Sequence, residues 1–137
     1  MPAFALARRL RAGETVYAAW CMMGSPIVAE TIAREGFSVV VLDAQHGLWD
    51  TASIITGIGA VSHADATPVV RIPLNDLALV SRALDFGAEA IIAPMINDAD
   101  DASRQIVFAF SIHARHLGGL APNQGAASGA TCFREAG

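Results

Sequence analysis

Residues 39–47 read Val-Val-Val-Leu-Asp-Ala-Gln-His-Gly, "VVVLDAQHG". Four apolar residues, Val39 to Leu42, come first, and three of them are β-branched. A short run that is apolar at every position predicts a strand buried on both faces. Strands of that kind belong to parallel sheets covered by helices. Asp43, Gln45 and His46 arrive within the next four positions, and Gly47 closes the run. Polar side chains crowded at the C-terminal end of such a strand stand where α/β folds place their chemistry.

Working outward, strand and helix patterns alternate. "TVYAAW" (15–20) and "FSVVVLD" (37–43) predict the first two strands, "TPVVRI" (67–72) the third and "AEAIIAPM" (88–95) the fourth. Helical spacing covers 4–13, 25–36, 49–64, 75–87 and 97–110. Ser25 before Pro26, Asp50 and Asn75 are the expected N-caps, and Gly13, Gly36 and Gly87 the expected C-terminal stops. Gly57 and Gly59 weaken the third helical pattern. Acids in the first turn of the last one suit its dipole. Four β–α units behind a leading helix predict a parallel sheet with helical crossovers. Both an open doubly wound sheet and part of a TIM (β/α)8 barrel fit, and a whole barrel takes about 250 residues.

The 137 residues suffice for one domain, and a hydrophobic content of 53% argues against disorder. A net charge of −4 suggests neither nucleic acid nor an anionic membrane surface as partner. No apolar run reaches the roughly 18 residues that would span a bilayer. Gly13 and Glu14 break the stretch after the early arginines, so no signal peptide is read. Two cysteines, Cys21 and Cys132, make no disulfide framework and predict a reducing, cytoplasmic setting. All nine basic residues are arginines. Without lysine a Schiff base is excluded, and carbanion chemistry would need a metal, an arginine or a helix dipole.

In a parallel sheet the strand C-termini gather at one edge. Trp20 and Cys21 would lie there, with Asp43, Gln45, His46 and Arg71. Each has a plainer reading beside the functional one. His46 fits a general base, since histidine titrates near neutrality, and equally a histidine bonded to a backbone carbonyl. Asp43 fits a turn cap. Gln45 carries no strong signal alone. Trp20 fits packing, or the wall of a pocket. Arg71 sits in an apolar strand, where a guanidinium needs an anionic partner, and a substrate carboxylate would serve. Cys21 has no base beside it to make a thiol nucleophile. His63, His113 and His116 fit no metal-ligand spacing.

Taken together, "AAW" (18–20), "LDAQHG" (42–47), "PVVRIPLND" (68–76), "LDFGAEAIIAPM" (84–95) and "NDADDA" (97–102) resemble the HpcH/HpaI aldolase family, the metal-dependent 2-oxo-acid (pyruvate) aldolases. The resemblance covers roughly residues 4–104, the family's N-terminal half. It implies a (β/α)8 barrel that cleaves 4-hydroxy-2-oxo acids to pyruvate, or a similar 2-oxo acid, and an aldehyde. It also implies a divalent cation (Mg2+, Mn2+ or Co2+) and a homo-oligomer. Under it His46 takes the proton from the C4 hydroxyl. Arg71 holds the 2-oxo acid and stabilises the enolate, and Asp85 raises the basicity of the histidine. Trp20, Asp43 and Gln45 join Arg71 around the substrate. Asp85 falls near a helix C-terminus, an end that faces away from strand C-termini, so it would reach His46 from a neighbouring subunit.

The sequence departs from the family pattern in three ways. Gln45 stands where many members have an acid. The stretch "SIHARHLGGLAPNQG" (111–125) replaces the family's Tyr-Pro-Pro and Gly-Arg-Ser-type segments. The two acidic metal ligands expected on later strands have no counterpart. The expectation is therefore a partial barrel over 1–110 and an irregular tail over 111–137, as in a truncated or frame-disrupted relative. On that expectation the isolated chain is incomplete for catalysis. The competing reading is a non-catalytic half-barrel that binds anions or oligomerises.

Overall fold

The computed structural model describes residues 5–103. Its elements run α1 (Ala5–Arg11), β1 (Ala18–Cys21), α2 (Pro26–Arg34), β2 (Val39–Asp43), α3 (Thr51–His63), β3 (Thr67–Arg71), α4 (Leu77–Asp85) and β4 (Ala90–Ile92). A further helical turn opens at Ala99, where the Asp98 carboxylate accepts the Asp101 N–H at 2.8 Å. The rest of the helix expected over 97–110 lies outside the described residues. So do the tail from 111, His113, His116 and Cys132.

The strands form one sheet in the order β1-β2-β3-β4, all parallel. A doubly wound sheet reverses its strand order at a switch point, whereas a barrel adds strands in sequence. The sequential order decides between the two architectures: this is a barrel-type arc of four β–α units.

β2 is buried at all five positions because both faces of the sheet are covered. On the outer face Val40, Leu42, Val70 and Ile72 pack with Ala29 and Ala33 of α2, Ile54, Ile58 and Val61 of α3, and Leu79, Val80 and Ala83 of α4. On the inner face Val39, Val41 and Val69 pack against Leu6 of α1, with Leu10 beside it. Alternation along each strand therefore divides the apolar run between two cores. Inner-face positions continue upward from Val41 to Asp43 and from Val69 to Arg71.

The helix ends obey local chemistry, with two corrections. Asp50 caps α3 through a reciprocal pair with Ser53. Gly36 and Gly87, each at φ +102°, end α2 and α4 in the left-handed region that glycine enters without strain. Ser25 occupies the N-cap position of α2, but its side chain makes no capping bond; its carbonyl accepts Ala29 N–H instead. Asn75 does not cap α4. It adopts a left-handed turn (φ +59°), and Asp76 accepts the Leu79 N–H at 2.9 Å in its place. Gly57 in α3 has a packing reason: a Cβ there would come within 2.7 Å of the Trp49 ring. Trp49 is buried before the helix begins, and its indole N–H donates to the Cys21 carbonyl at 2.8 Å.

Candidate functional site

Two loops meet at the C-terminal edge of the sheet. Leu48 N–H donates to Met22 O at 2.8 Å, joining the loop after β2 to the loop after β1. The backbones approach so closely that only glycine fits at Gly24 and Gly47; a Cβ at Gly47 would press into the Asp43 and Met22 carbonyls. This junction fixes the turn carrying Gln45 and His46 above the end of β2.

Asp43 organises the edge. It is 1% exposed, and its carboxylate accepts four hydrogen bonds. Oδ1 takes the backbone N–H groups of Gln45 at 2.9 Å and His46 at 3.0 Å. Oδ2 takes the Trp20 indole N–H at 2.8 Å and the Arg71 guanidinium at 3.3 Å. Burial pushes the Asp43 carboxyl upward, but the bonds from Trp20, His46, Gln45 and Arg71 outweigh it and hold the group below the usual carboxylate range. Asp43 is therefore an anion at neutral pH.

Strand register sets the geometry. Asp43 and Arg71 are direct cross-strand partners on the inner face. Trp20 pairs with Val41, one inner-face step below, so its indole reaches Asp43 along the diagonal. The Arg71 guanidinium lies 5.6 Å from the Trp20 ring centroid, a cation–π arrangement. Arg71 thus rests on an aromatic floor and against a carboxylate, with its side chain 14% exposed.

Of the residues singled out in the sequence, the structure gathers Trp20, Asp43 and Arg71 through their side chains. It places Gln45 and His46 at the same carboxylate through their backbones. The His46 side chain is exposed. The Gln45 side-chain oxygen is buried with no hydrogen bond among the described residues, as is one carboxylate oxygen of Glu89 at the opposite end of the sheet. Asp85 is exposed at the last position of α4. Helices here run antiparallel to the strands, so Asp85 lies at the strand N-terminal end, away from His46. Burial raises the Cys21 thiol, outweighing its bond to the Met23 backbone. The tight loop junction at Gly24 and Gly47 was not read from the sequence; two glycines in facing loops were its only signal.

The described residues do not by themselves fit a divalent cation. A hard cation takes about six oxygen ligands, and the buried carboxylate at this edge is occupied by four donors. No group of three His, Cys, Asp or Glu side chains among the described residues comes together to hold a metal. No described helix is long and apolar enough to cross a membrane.

Comparison with known proteins agrees with the fold. The family profile for HpcH/HpaI aldolase/citrate lyase matches residues 17–132. A hydroxypyruvate/pyruvate aldolase of Agrobacterium fabrum is 34% identical over 111 residues, 81% of this chain and 41% of that protein. A 5-keto-4-deoxy-D-glucarate aldolase of Klebsiella pneumoniae is 30% identical over 97 residues, 71% of this chain and 38% of that protein. Among solved structures, an HpcH/HpaI aldolase/citrate lyase family protein from Burkholderia cenocepacia superimposes with a TM-score of 0.75 at 28% identity, over 96% of this chain and 49% of that one. The chain spans about two-fifths of the length of the curated relatives it matches.

Proposed function

Since the chain belongs to the HpcH/HpaI aldolase/citrate lyase family, we propose that its edge cluster serves carbon–carbon lyase chemistry on a 4-hydroxy-2-oxo acid. The products are pyruvate, or a close 2-oxo acid, and an aldehyde. The observation that carries this reading is the placement of Arg71, held at the strand ends between the Trp20 ring and Asp43.

In this reading the guanidinium meets the oxygen on which negative charge develops. Cleavage begins when His46 takes the proton of the C4 hydroxyl. The C3–C4 bond breaks, its electron pair moves toward the 2-oxo oxygen as an enolate, and the former hydroxyl carbon leaves as an aldehyde. Protonation at C3 then yields the 2-oxo acid. A fixed cation at the enolate oxygen stabilises the transition state more than the ground state, which is what accelerates the step. Asp43 anchors both partners, Arg71 by its side chain and His46 by its backbone N–H.

The divalent cation expected for the family belongs to this proposal, with ligands supplied from outside residues 5–103. Asp85 belongs to it as a residue donated by a neighbouring copy. No step above is routed through the metal.

The isolated chain, without the acidic metal ligands, is expected to release no pyruvate; the test is pyruvate release from a 4-hydroxy-2-oxo acid, with and without Mn2+ or Co2+, by the chain complemented with a segment that supplies those ligands, in the wild type and in Arg71→Ala and His46→Ala. Loss of Arg71 is expected to lower turnover by about 100-fold or more. Loss of His46 is expected to lower it by a similar factor. An Arg71→Ala variant within threefold of wild type would refute the assignment.

A further inference from the structure

A cavity of about 290 Å3 lies at the N-terminal edge of the sheet, the edge opposite Asp43. It opens between the loop before β1 and the turn before β2, and Arg9, Thr15, Tyr17, Glu35, Phe37 and Ser38 line it. Two of these side chains carry opposite charges that do not pair with each other. Arg9 turns instead to Glu14, 2.9 Å from Nε, and to the Ser38 hydroxyl, 2.9 Å from Nη1. Those bonds engage two of the five N–H donors of the guanidinium and hold it in place, and Nη2 takes part in neither. Glu35 caps the C-terminus of α2, and its carboxylate makes no hydrogen bond or ion pair among the described residues. Tyr17 and Phe37 are 79% and 41% exposed, so two aromatic rings at the cavity are left to water.

We propose that this cavity binds a free zwitterionic α-amino acid with an apolar or aromatic side chain: Arg9 takes its carboxylate, Glu35 its ammonium group, and the Tyr17 and Phe37 rings its side chain. A simple anion on Arg9 would be repelled by Glu35, and a simple cation on Glu35 would be repelled by Arg9. A molecule with both charges satisfies both residues and brings no net charge. The two rings add apolar contact, and their faces also attract an ammonium group. The volume falls at the lower end for ligand pockets, which suits a molecule of amino-acid size. Barrel chemistry sits at the other edge of the sheet, so the ligand is bound here without being turned over. Arg9 belongs to α1, whose Leu6 closes the inner core, and Glu35 to the turn before β2. The bound amino acid therefore ties α1 to the sheet and stabilises the fold by mass action. The inference is independent of the aldolase reading.

The experiment is a titration of the 15N-labelled chain with L-phenylalanine, followed through the backbone amide resonances of Gly36 and Ser38 and through Tm. The same titration is run with 2-phenylethylamine, which lacks the carboxylate, and with 3-phenylpropionate, which lacks the ammonium group. Phenylalanine is expected to move both resonances to saturation and to raise Tm. Each single-charge analogue is expected to bind about tenfold more weakly, the worth of one charge-assisted hydrogen bond. Glu35→Gln, whose side chain makes no bond in the fold, is expected to weaken phenylalanine by about the same factor and to leave 3-phenylpropionate binding no more weakly than to wild type. Either analogue binding within about threefold of phenylalanine overturns the inference, as does a Glu35→Gln effect below about threefold. Failure of phenylalanine to saturate wild type by about 10 mM also overturns it, and that measurement needs no variant.

Discussion

Asp43 and Arg71 face each other across β2 and β3 in direct register, and the guanidinium lies 3.3 Å from a carboxylate that is 1% exposed. Two β-strands thus end their inner faces in opposite charges. The pair closes the apolar column of Val39, Val41 and Val69. Its energetics bear on stability.

Replacing Asp43 with alanine strips four donors of their acceptor, two of them backbone groups. Breaking a buried pair from one side costs about 3–5 kcal/mol. Urea unfolding is expected to place Asp43→Ala in that range below wild type. A loss under about 1 kcal/mol would mean that the cluster contributes little to folding.

Asp43 also predicts a pH dependence. Its folded-state carboxyl lies below its unfolded value, so the unfolded chain binds the proton more readily. The stabilisation is complete above the unfolded value of about 3.9 and is lost as the pH falls through the folded one. The stability gap between wild type and Asp43→Asn is therefore expected to stay level from pH 7 to 5 and narrow below pH 4. Asp50, also lowered through its bonds with Ser53, adds its own acid sensitivity to both proteins and cancels in the difference. A gap that does not change with pH would contradict this account.

Two glycines in α3 are expected to respond in opposite directions. At Gly57 an added methyl meets the Trp49 ring at 2.7 Å and Leu42 at 3.1 Å, so Gly57→Ala should destabilise by about 1–3 kcal/mol. At Gly59 nothing lies within 4 Å, and Gly59→Ala should stabilise by about 0.5–1 kcal/mol through helix propensity alone. Thermal melts of the two variants check both, and equal shifts would show that Trp49 does not press on the helix.

The reading of Asp85 predicts complementation between subunits. Asp85 ends α4 at the edge of the sheet opposite the one that carries His46. Inactive His46→Ala and Asp85→Ala proteins, mixed and reassembled as dimers, should recover about a quarter of wild-type activity, because half the pairs form one intact site. A mixture that stays inactive would remove Asp85 from the proposed dyad.

Much of this architecture was legible along the chain. The unbroken apolar run at 39–42 announced a strand covered on both sides, and its alternation into two cores bears that out. Asp50 began a helix, and Gly36 and Gly87 ended helices, as read, because a cap needs only neighbours a few residues away. Asn75 misled because Asp76, next to it, offered the same chemistry one position nearer the helix. Strand ends were less legible. β4 keeps three of the eight residues expected, since pairing depends on the neighbouring strand and not on the run itself.

Sequence by itself determined the β–α alternation, the absence of lysine and the family motifs. It placed Trp20, Asp43, His46 and Arg71 at strand ends, because periodicity and turn chemistry are local. Only the tertiary structure decided that the sheet adopts barrel order. Only it decided that Asp43 commits both oxygens to four donors, and that Trp20 and Arg71 share one of them. Those relations join residues 23 and 28 positions apart. They depend on the register between strands and on which face each side chain takes, and a hydrogen bond over that separation exists only once the sheet has formed.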